Sequence, residues 1–371
     1  MELVVRKNDL LRELQFFQGI VERKNTIPIL ANVLMEAKGE EIRMLATDLE
    51  VGLRSRCPAT VTKGGTLTLP AKKLYEIIKS LPETEVKIQE DKNGVKVAAD
   101  RFESRLQTQP PQDFPAVPEG GDAATATLDS AVVRSMIART QFAITGEDTR
   151  YFLNGALFIL QGDTMTLVAT DGHRLALVSA ARPKGSGKEQ KEEVRAILPR
   201  KTLWELGKLL AEGDGELTYE RGENHLFFGV GGRMLISRMI DGQFPAFERV
   251  IPKGNNRLIE FERERLTSAV RRVALLSNER SKSVKFGIEN GRVEVTSSSP
   301  EFGEAREVIP VDYTDGPMQI CFNAQYVLDF LNVVETDQVV FELKDDVSQA
   351  VVKPVGAEGY DYTYVIMPMR V

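Results

Sequence analysis

Two cysteines and two histidines in 371 residues set the first limits. Cys57 and Cys321 stand far apart with no paired spacing, which argues against a disulfide framework and reads as two reduced thiols of a cytoplasmic protein. So few ligands, unspaced, do not make a conventional zinc centre, and no cofactor or metal is expected. There is no run of 18 apolar residues, hence no candidate spanning helix. Met1-Glu2-Leu3-Val4-Val5-Arg6 enters a strand-like stretch where a signal peptide would have an apolar core. Catalytic motifs are equally scarce. No Gly-x-Ser-x-Gly elbow occurs. Gly187-Lys188 lacks the preceding glycine of a phosphate loop and is followed by Glu189 where Ser or Thr is needed. Gly229-Val230-Gly231-Gly232 leads into strand-like Met234-Leu235-Ile236, which excludes a dinucleotide loop and reads as a tight hairpin.

What the chain does have is repetition. Leu69-Pro70-Ala71-Lys72-Lys73-Leu74-Tyr75 returns as Leu198-Pro199-Arg200-Lys201-Thr202-Leu203-Trp204, and more faintly as Cys321-Phe322-Asn323-Ala324-Gln325-Tyr326-Val327. Ala46-Thr47-Asp48-Leu49-Glu50 is matched by Ala169-Thr170-Asp171-Gly172-His173, and Asp113-Phe114-Pro115 by Gln243-Phe244-Pro245. A period of roughly 120–130 residues is too long for a solenoid and suits three tandem domains of ordinary size. Polar, Gly/Pro-bearing stretches at Pro118–Asp122 and Pro252–Asn256 place their limits at 1–120, 121–252 and 253–371.

Each third reads as α+β. Apolar spacing predicts helices over Lys7–Glu22, Asp129–Ala143 and Glu264–Ser277, with Asp129 as an N-cap, and second helices over Ala71–Ser80, Arg200–Ala211 and Asn323–Val334. Short β-rich runs surround them, such as Leu157–Leu160 and Met165–Val168 joined by the turn Gly162-Asp163. Arg182–Glu193 is Gly/Ser/Lys-rich and reads as a mobile loop.

Two features carry potential chemistry. Asp171 and His173 form the one enzyme-like cluster; an Asp–His pair can orient a general base. The bland reading is a turn stabilised by Asp171, and the parallel Thr47-Asp48, which has no histidine after it, favours that reading. Charge is the second feature. The six helical segments with their flanks carry a net +6, leaving −12 for the remainder of a chain whose total is −6. Solvated helix faces explain this; so does a helical surface that meets a polyanion on an otherwise acidic body. Twelve helices from two chains, at a spacing of about 10 Å, would close a ring roughly 120 Å around. Less one helix diameter of about 10 Å, the hole is roughly 28 Å across, wide enough for a duplex roughly 20 Å thick with grooves about 8 Å deep.

Four longer segments name a family. Arg150-Tyr151-Phe152-Leu153-Asn154-Gly155, Ala169-Thr170-Asp171-Gly172-His173-Arg174-Leu175, Asp241-Gly242-Gln243-Phe244-Pro245 and Tyr364-Val365-Ile366-Met367-Pro368-Met369-Arg370-Val371, in this order, resemble the bacterial sliding clamps, the beta subunits of DNA polymerase III. The resemblance spans the whole chain. It implies a non-catalytic, ring-shaped homodimer of the DNA-clamp fold: three similar domains per chain, helices lining a central pore and antiparallel sheets outside. Such a ring encircles duplex DNA without sequence preference. It tethers replicative polymerase, clamp loader and repair proteins through short linear peptides, and it has no membrane role. Carried over by position, the peptide pocket would use Leu153, Thr170, Gly172, His173, Arg174, Leu175, Leu177, Pro245, Arg249, Val250, Val347, Val365, Met367, Pro368, Met369 and Arg370. Flexible, polarizable methionines suit a pocket that accepts varied peptides. Lys24 stands at the family's basic loop position, while Glu147 replaces a neutral polar residue beside the pore. Helix position adds Lys72, Lys73, Arg134, Arg139, Lys201 and Lys208 as DNA-facing candidates. The dimer seam would set Leu275 and Leu276 against the partner near Leu106, with Ser104 where the family has an aromatic residue and Phe102 as its substitute. A two-domain, trimeric clamp is disfavoured by the third repeat.

Overall fold

A computed structural model describes residues 1–21, 26–121, 125–146, 148–182, 193–212 and 215–370. The first third runs β1 (Glu2–Arg6), α1 (Lys7–Ile20), β2 (Asn32–Lys38), β3 (Glu41–Thr47), β4 (Val51–Pro58), β5 (Thr60–Lys63), β6 (Gly65–Pro70), α2 (Ala71–Ser80), β7 (Glu85–Asp91), β8 (Gly94–Ala99) and β9 (Phe102–Leu106). The middle third runs β10 (Ala126–Asp129), α3 (Ser130–Thr140), β11 (Gly155–Gln161), β12 (Thr164–Thr170), β13 (Arg174–Ala181), β14 (Val194–Pro199), α4 (Arg200–Ala211), β15 (Glu216–Arg221), β16 (His225–Val230) and β17 (Arg233–Arg238). The last third runs β18 (Arg257–Glu262), α5 (Arg263–Ala274), β19 (Ser283–Glu289), β20 (Arg292–Ser299), β21 (Gly303–Pro310), β22 (Met318–Asn323), α6 (Ala324–Val333), β23 (Gln338–Leu343), β24 (Ala350–Pro354) and β25 (Tyr360–Ile366). Except for the extra β5, the three share one order of strand, helix, four strands, helix and three strands.

The described residues pack as two compact units, and the division cuts the middle third in half. One unit, from residues 1–134 and 201–239, holds a five-stranded sheet (β5-β1-β7-β8-β9) and an eight-stranded sheet (β10-β15-β16-β17-β4-β3-β2-β6). The other, from 135–182, 193–200 and 240–370, holds an eight-stranded sheet (β14-β11-β12-β13-β25-β24-β23-β18) and a four-stranded one (β21-β20-β19-β22). The cause is strand pairing across the thirds. The last strand of the middle third, β17, pairs antiparallel with β4, and the last strand of the chain, β25, pairs antiparallel with β13. Each eight-stranded sheet is thus two four-stranded sheets joined edge to edge.

Local sequence explains the elements. In α1, Leu10, Leu14 and Phe17 recur at helical spacing and are buried, while Val21 is extended and ends the helix two residues before the expected limit. Helices α2 and α4 have the expected bounds. Asp129 caps α3 by accepting from the Val132 N–H at 2.9 Å. That helix stops at Thr140, whose hydroxyl bonds back to the Met136 carbonyl, and residues 141–143 tighten into a 3-10 turn. In α6, Asn323 is the N-cap, its side chain accepting from Gln325 N–H at 2.9 Å. Asn323 therefore stands where Pro70 and Pro199 stand, and the third echo of the sequence is shifted by one residue from its expected register. Asn323→Ala should lower the unfolding free energy by about 1 kcal/mol; an unchanged denaturation midpoint would discount the cap. The expected hairpins are present. Gly231 and Gly232, at φ +56° and +80°, turn β16 into β17, as left-handed turn positions require.

In the first unit α1 is tied to β17 by a buried ion pair. Arg233 donates to Glu13 through Nε (2.8 Å) and Nη2 (2.5 Å), Ser55 Oγ also donates to Glu13, and Phe16 lies 4.5 Å beneath the guanidinium. Burial, and then the nearby Glu13 charge, push the Cys57 thiol up to about 12, so it stays protonated.

Candidate functional site

The second unit gathers all the residues assigned to a peptide pocket. Its centre is the turn between β12 and β13. Thr170 Oγ1 donates to the Arg174 carbonyl (2.7 Å) and accepts from Gly172 N–H (3.1 Å). Asp171 Oδ1 accepts from the backbone N–H of His173 (2.9 Å) and of Arg174 (3.0 Å). Gly172 adopts φ +88°, a conformation glycine reaches without a Cβ penalty. The first third repeats the device. Thr47 Oγ1 donates to the Val51 carbonyl, and Asp48 Oδ1 accepts from the N–H groups of Glu50 and Val51. Asp171 thus holds the backbone of His173 while the imidazole stands exposed, and the turn reading prevails over an Asp–His general base.

Arg174 is the hub behind this turn. Its Nε donates to Asp171 Oδ2 (2.9 Å), Nη1 to Asp329 Oδ2 of α6 (2.5 Å) and Nη2 to the Phe142 carbonyl (2.5 Å). The Tyr326 ring centroid lies 4.2 Å from the guanidinium carbon. Burial disfavours the charge, but Tyr364, Asp329 and Asp171 more than offset it, so the pKa lies above its ordinary value. Arg174 therefore braces the turn against α6, and it does so as a nearly enclosed, fully engaged cation.

Next to the turn lies an apolar cluster. Leu175 faces Val365 across the β13–β25 pair, and both join Leu157, Val168, Phe244, Phe247 and Val351 in one buried cluster. Leu177, Phe152, Ile240 and Ile251 pack on it half-buried. Leu153 is buried, Pro245 half-buried, and Arg249 and Val250 lie on the exposed rim. The chain end is fastened over this edge. Met367 N–H donates to the His173 carbonyl (2.9 Å), and Met369 N–H to the Cys321 carbonyl (2.8 Å). The remaining residues divide off. Val347, Met369 and Arg370 line a polar cavity of about 970 Å³ against Lys285, Thr296 and Arg306 of the four-stranded sheet, while Met367 and half-buried Pro368 stand in the tail between the two groups.

Pattern reading missed Phe152, Ile240, Phe247, Val351 and Asp329. Asp329 left a signal, since it is the lone charge in the 323–334 segment. An isolated carboxylate on an apolar helix calls for a buried cation.

The basic candidates fare unevenly. Lys24 lies outside the described residues, as do Glu147 and positions 183–192 of the expected loop. Lys72 and Lys73 are exposed on α2, both reaching Glu76, and Arg134 is exposed on α3. Lys208 is exposed but pairs with Glu205 at 2.8 Å. Two residues depart from expectation. Arg139 is 3% exposed and stacks 4.1 Å from the Tyr360 ring centroid, so its charge does not reach the open helix face. Lys201 turns back to Asp48 Oδ2 (2.5 Å) and the Ile20 carbonyl (3.2 Å), closing the end of α1. Helical spacing cannot foresee either, because both partners are distant in sequence.

The seam candidates lie on separate units. Leu106 is half-buried on edge strand β9, where Phe102 is 40% exposed and Ser104 Oγ donates to the Val97 carbonyl of β8. Leu275 is 78% exposed at the end of α5, where with half-buried Leu276 and exposed Phe302 it lines a cavity of about 550 Å³.

Comparison with known proteins agrees along the whole chain. Models of the DNA polymerase III beta subunit match with its N-terminal domain at residues 1–118, its central domain at 127–246 and its C-terminal domain at 248–370. A beta sliding clamp of Pseudomonas putida is 39% identical and one of Escherichia coli K12 34%, each with full coverage of both chains. Among solved structures, the Pseudomonas aeruginosa DNA polymerase III subunit beta superposes with a TM-score of 0.93 at 38% identity, again over all of both chains. A Bartonella birtlesii sliding clamp bound to griselimycin gives 0.94 at 36%, with the same coverage.

Proposed function

We infer function from one premise: this chain belongs to the DNA polymerase III beta subunit family, the bacterial sliding clamps, whose members are non-catalytic processivity subunits and share its α+β clamp fold. Two copies close head to tail into a cytoplasmic ring around duplex DNA, with modules 1–120, 121–252 and 253–371 in each copy. The observation that carries this reading is a pair of matching edge strands among the described residues. Both joints within the chain use one rule: the strand before a third's fifth sheet element pairs with the final strand of the next third, β4 with β17 and β13 with β25. The counterparts left over are β21 and β9, each the edge of its sheet. Exposed Phe302 and Val308 lie along or just before β21, and exposed Phe102 lies on β9. Unpaired edges invite another strand, and joining β21 of one copy to β9 of the other repeats the same joint. The joint is heterologous, and with two copies it closes.

The hold on DNA is topological. Exposed cations such as Lys72, Lys73 and Arg134, with Lys24, make phosphate contacts that carry no sequence information and exchange readily, which permits sliding. The groove formed by Leu175, Leu177, Pro245, Val250, Val365 and the tail takes partner peptides, each buried Leu or Phe anchor contributing about 2 kcal/mol. The test uses nicked circular DNA loaded with the protein. The ring should stay on closed circles and leave within the assay once they are linearised. Equal retention on free-ended DNA would sink the topological reading.

A further inference from the structure

The strongest repeat in the chain sets an aromatic ring and a lysine four residues apart on two helices. Tyr75 and Lys79 on α2 occupy the places of Trp204 and Lys208 on α4. Lys79 Nζ lies 5.6 Å from the Tyr75 ring centroid, and Lys208 Nζ, which pairs with Glu205 at 2.8 Å and would have to turn from it toward a phosphate, lies 6.0 Å from that of Trp204. In α6 the same places hold Leu328 and Asn332, so the fold of the module does not require the pair. Trp204 nevertheless leaves 54% of its surface open, and Tyr75 is half-buried. Lys72 and Lys73 are exposed on the same helix as Tyr75.

A face that meets only phosphates needs only cations. A flat ring among them adds one further capacity, stacking on another flat group. In a duplex the base faces are already stacked on one another, and an outside ring reaches only sugar and phosphate. An unpaired strand offers its base faces together with its phosphates. We propose that Trp204 with Lys208, seconded by Tyr75 with Lys79, is a contact for single-stranded DNA, the ring stacking on an unpaired base and the ammonium lying beside the adjoining phosphate. The proposal rests on the reading that the chain holds DNA, and it adds that the protein also engages an unpaired stretch beside the enclosed duplex.

Trp204 is the chain's only tryptophan, so its emission reports on this place without a label. Full-length protein is titrated at low salt with short oligo(dT) and with a duplex of equal length. Oligo(dT) should quench the emission and the duplex should leave it nearly unchanged. In anisotropy with labelled oligo(dT), Trp204→Leu should bind about tenfold more weakly, Tyr75→Leu should weaken it further, and Trp204→Phe should restore most of the affinity. Emission indifferent to oligo(dT), equal quenching by the duplex, or unchanged affinity in Trp204→Leu would each overturn the proposal. Retention on circular duplex is measured on the same preparations. If the unaltered protein stays on circles while Trp204 is silent, this inference alone fails; if it does not stay on circles, the clamp reading fails and takes the inference with it.

Discussion

Truncation after Ile366 is expected to abolish capture of partner peptides while leaving the dimer intact. The tail contributes no strand beyond β25, whose pairs with β13 and β24 reach Ile366 and survive the cut. What is lost is the segment proposed to wall the groove. Met367 and Met369 are pinned by backbone bonds to His173 and Cys321, and these bonds hold the tail between the apolar cluster and the polar cavity lined by Val347 and Arg370. Two peptide anchors of about 2 kcal/mol each lose most of their burial, so affinity should fall by roughly 100- to 1000-fold. Fluorescence anisotropy with a labelled peptide bearing Gln and Leu/Phe anchors reads the loss, and sedimentation reads the unchanged dimer. Normal peptide affinity in the truncated protein would remove the groove from the assignment.

Arg174→Ala carries the second large effect, this time on stability. The guanidinium is the shared partner of Asp171, Asp329 and the Phe142 carbonyl, and it is nearly enclosed. Its removal leaves two mostly buried carboxylates facing a void, a change that costs about 3–5 kcal/mol. For a unit of this size the melting temperature should drop by roughly 10 °C. Arg174→Lys should recover only part of the loss, since one ammonium cannot span three acceptors in a plane. Neutralising both carboxylates alongside Arg174→Leu should recover more, because an apolar replacement strands no charge. Peptide affinity should weaken in Arg174→Ala as well, since the turn that presents the His173 carbonyl to the tail is held by Asp171. A melting temperature within a degree of the unaltered protein would refute the hub.

Much of the local structure was legible because its causes are local. Ala71–Ser80 and Arg200–Ala211 follow from apolar spacing after a proline, and the Asp129 cap and the Gly231-Gly232 hairpin from residue types suited to one backbone geometry. The turn at Thr170–Arg174 was legible through its twin at Thr47–Val51. The proposed peptide groove rests on motif resemblance, since nothing in periodicity distinguishes Val365 or Met367 from ordinary core. The misplaced cations show where such reading stops. Arg139 and Lys201 look alike on a helical projection to Arg134 and Lys73, yet Tyr360 and Asp48 claim them from more than 150 residues away.

The chain by itself determined most of its elements, its threefold repetition and the Asp129 cap and Gly231-Gly232 turn, since each follows from contacts within a few residues or from a pattern set beside its own copy. Tertiary structure alone decided which strand edges join, which cations stay exposed, and how tail, turn and α6 meet around His173 and Arg174. A strand's alternation fixes which face is buried but leaves its partner open, and a charge acquires its role only when folding brings a distant carboxylate or ring beside it.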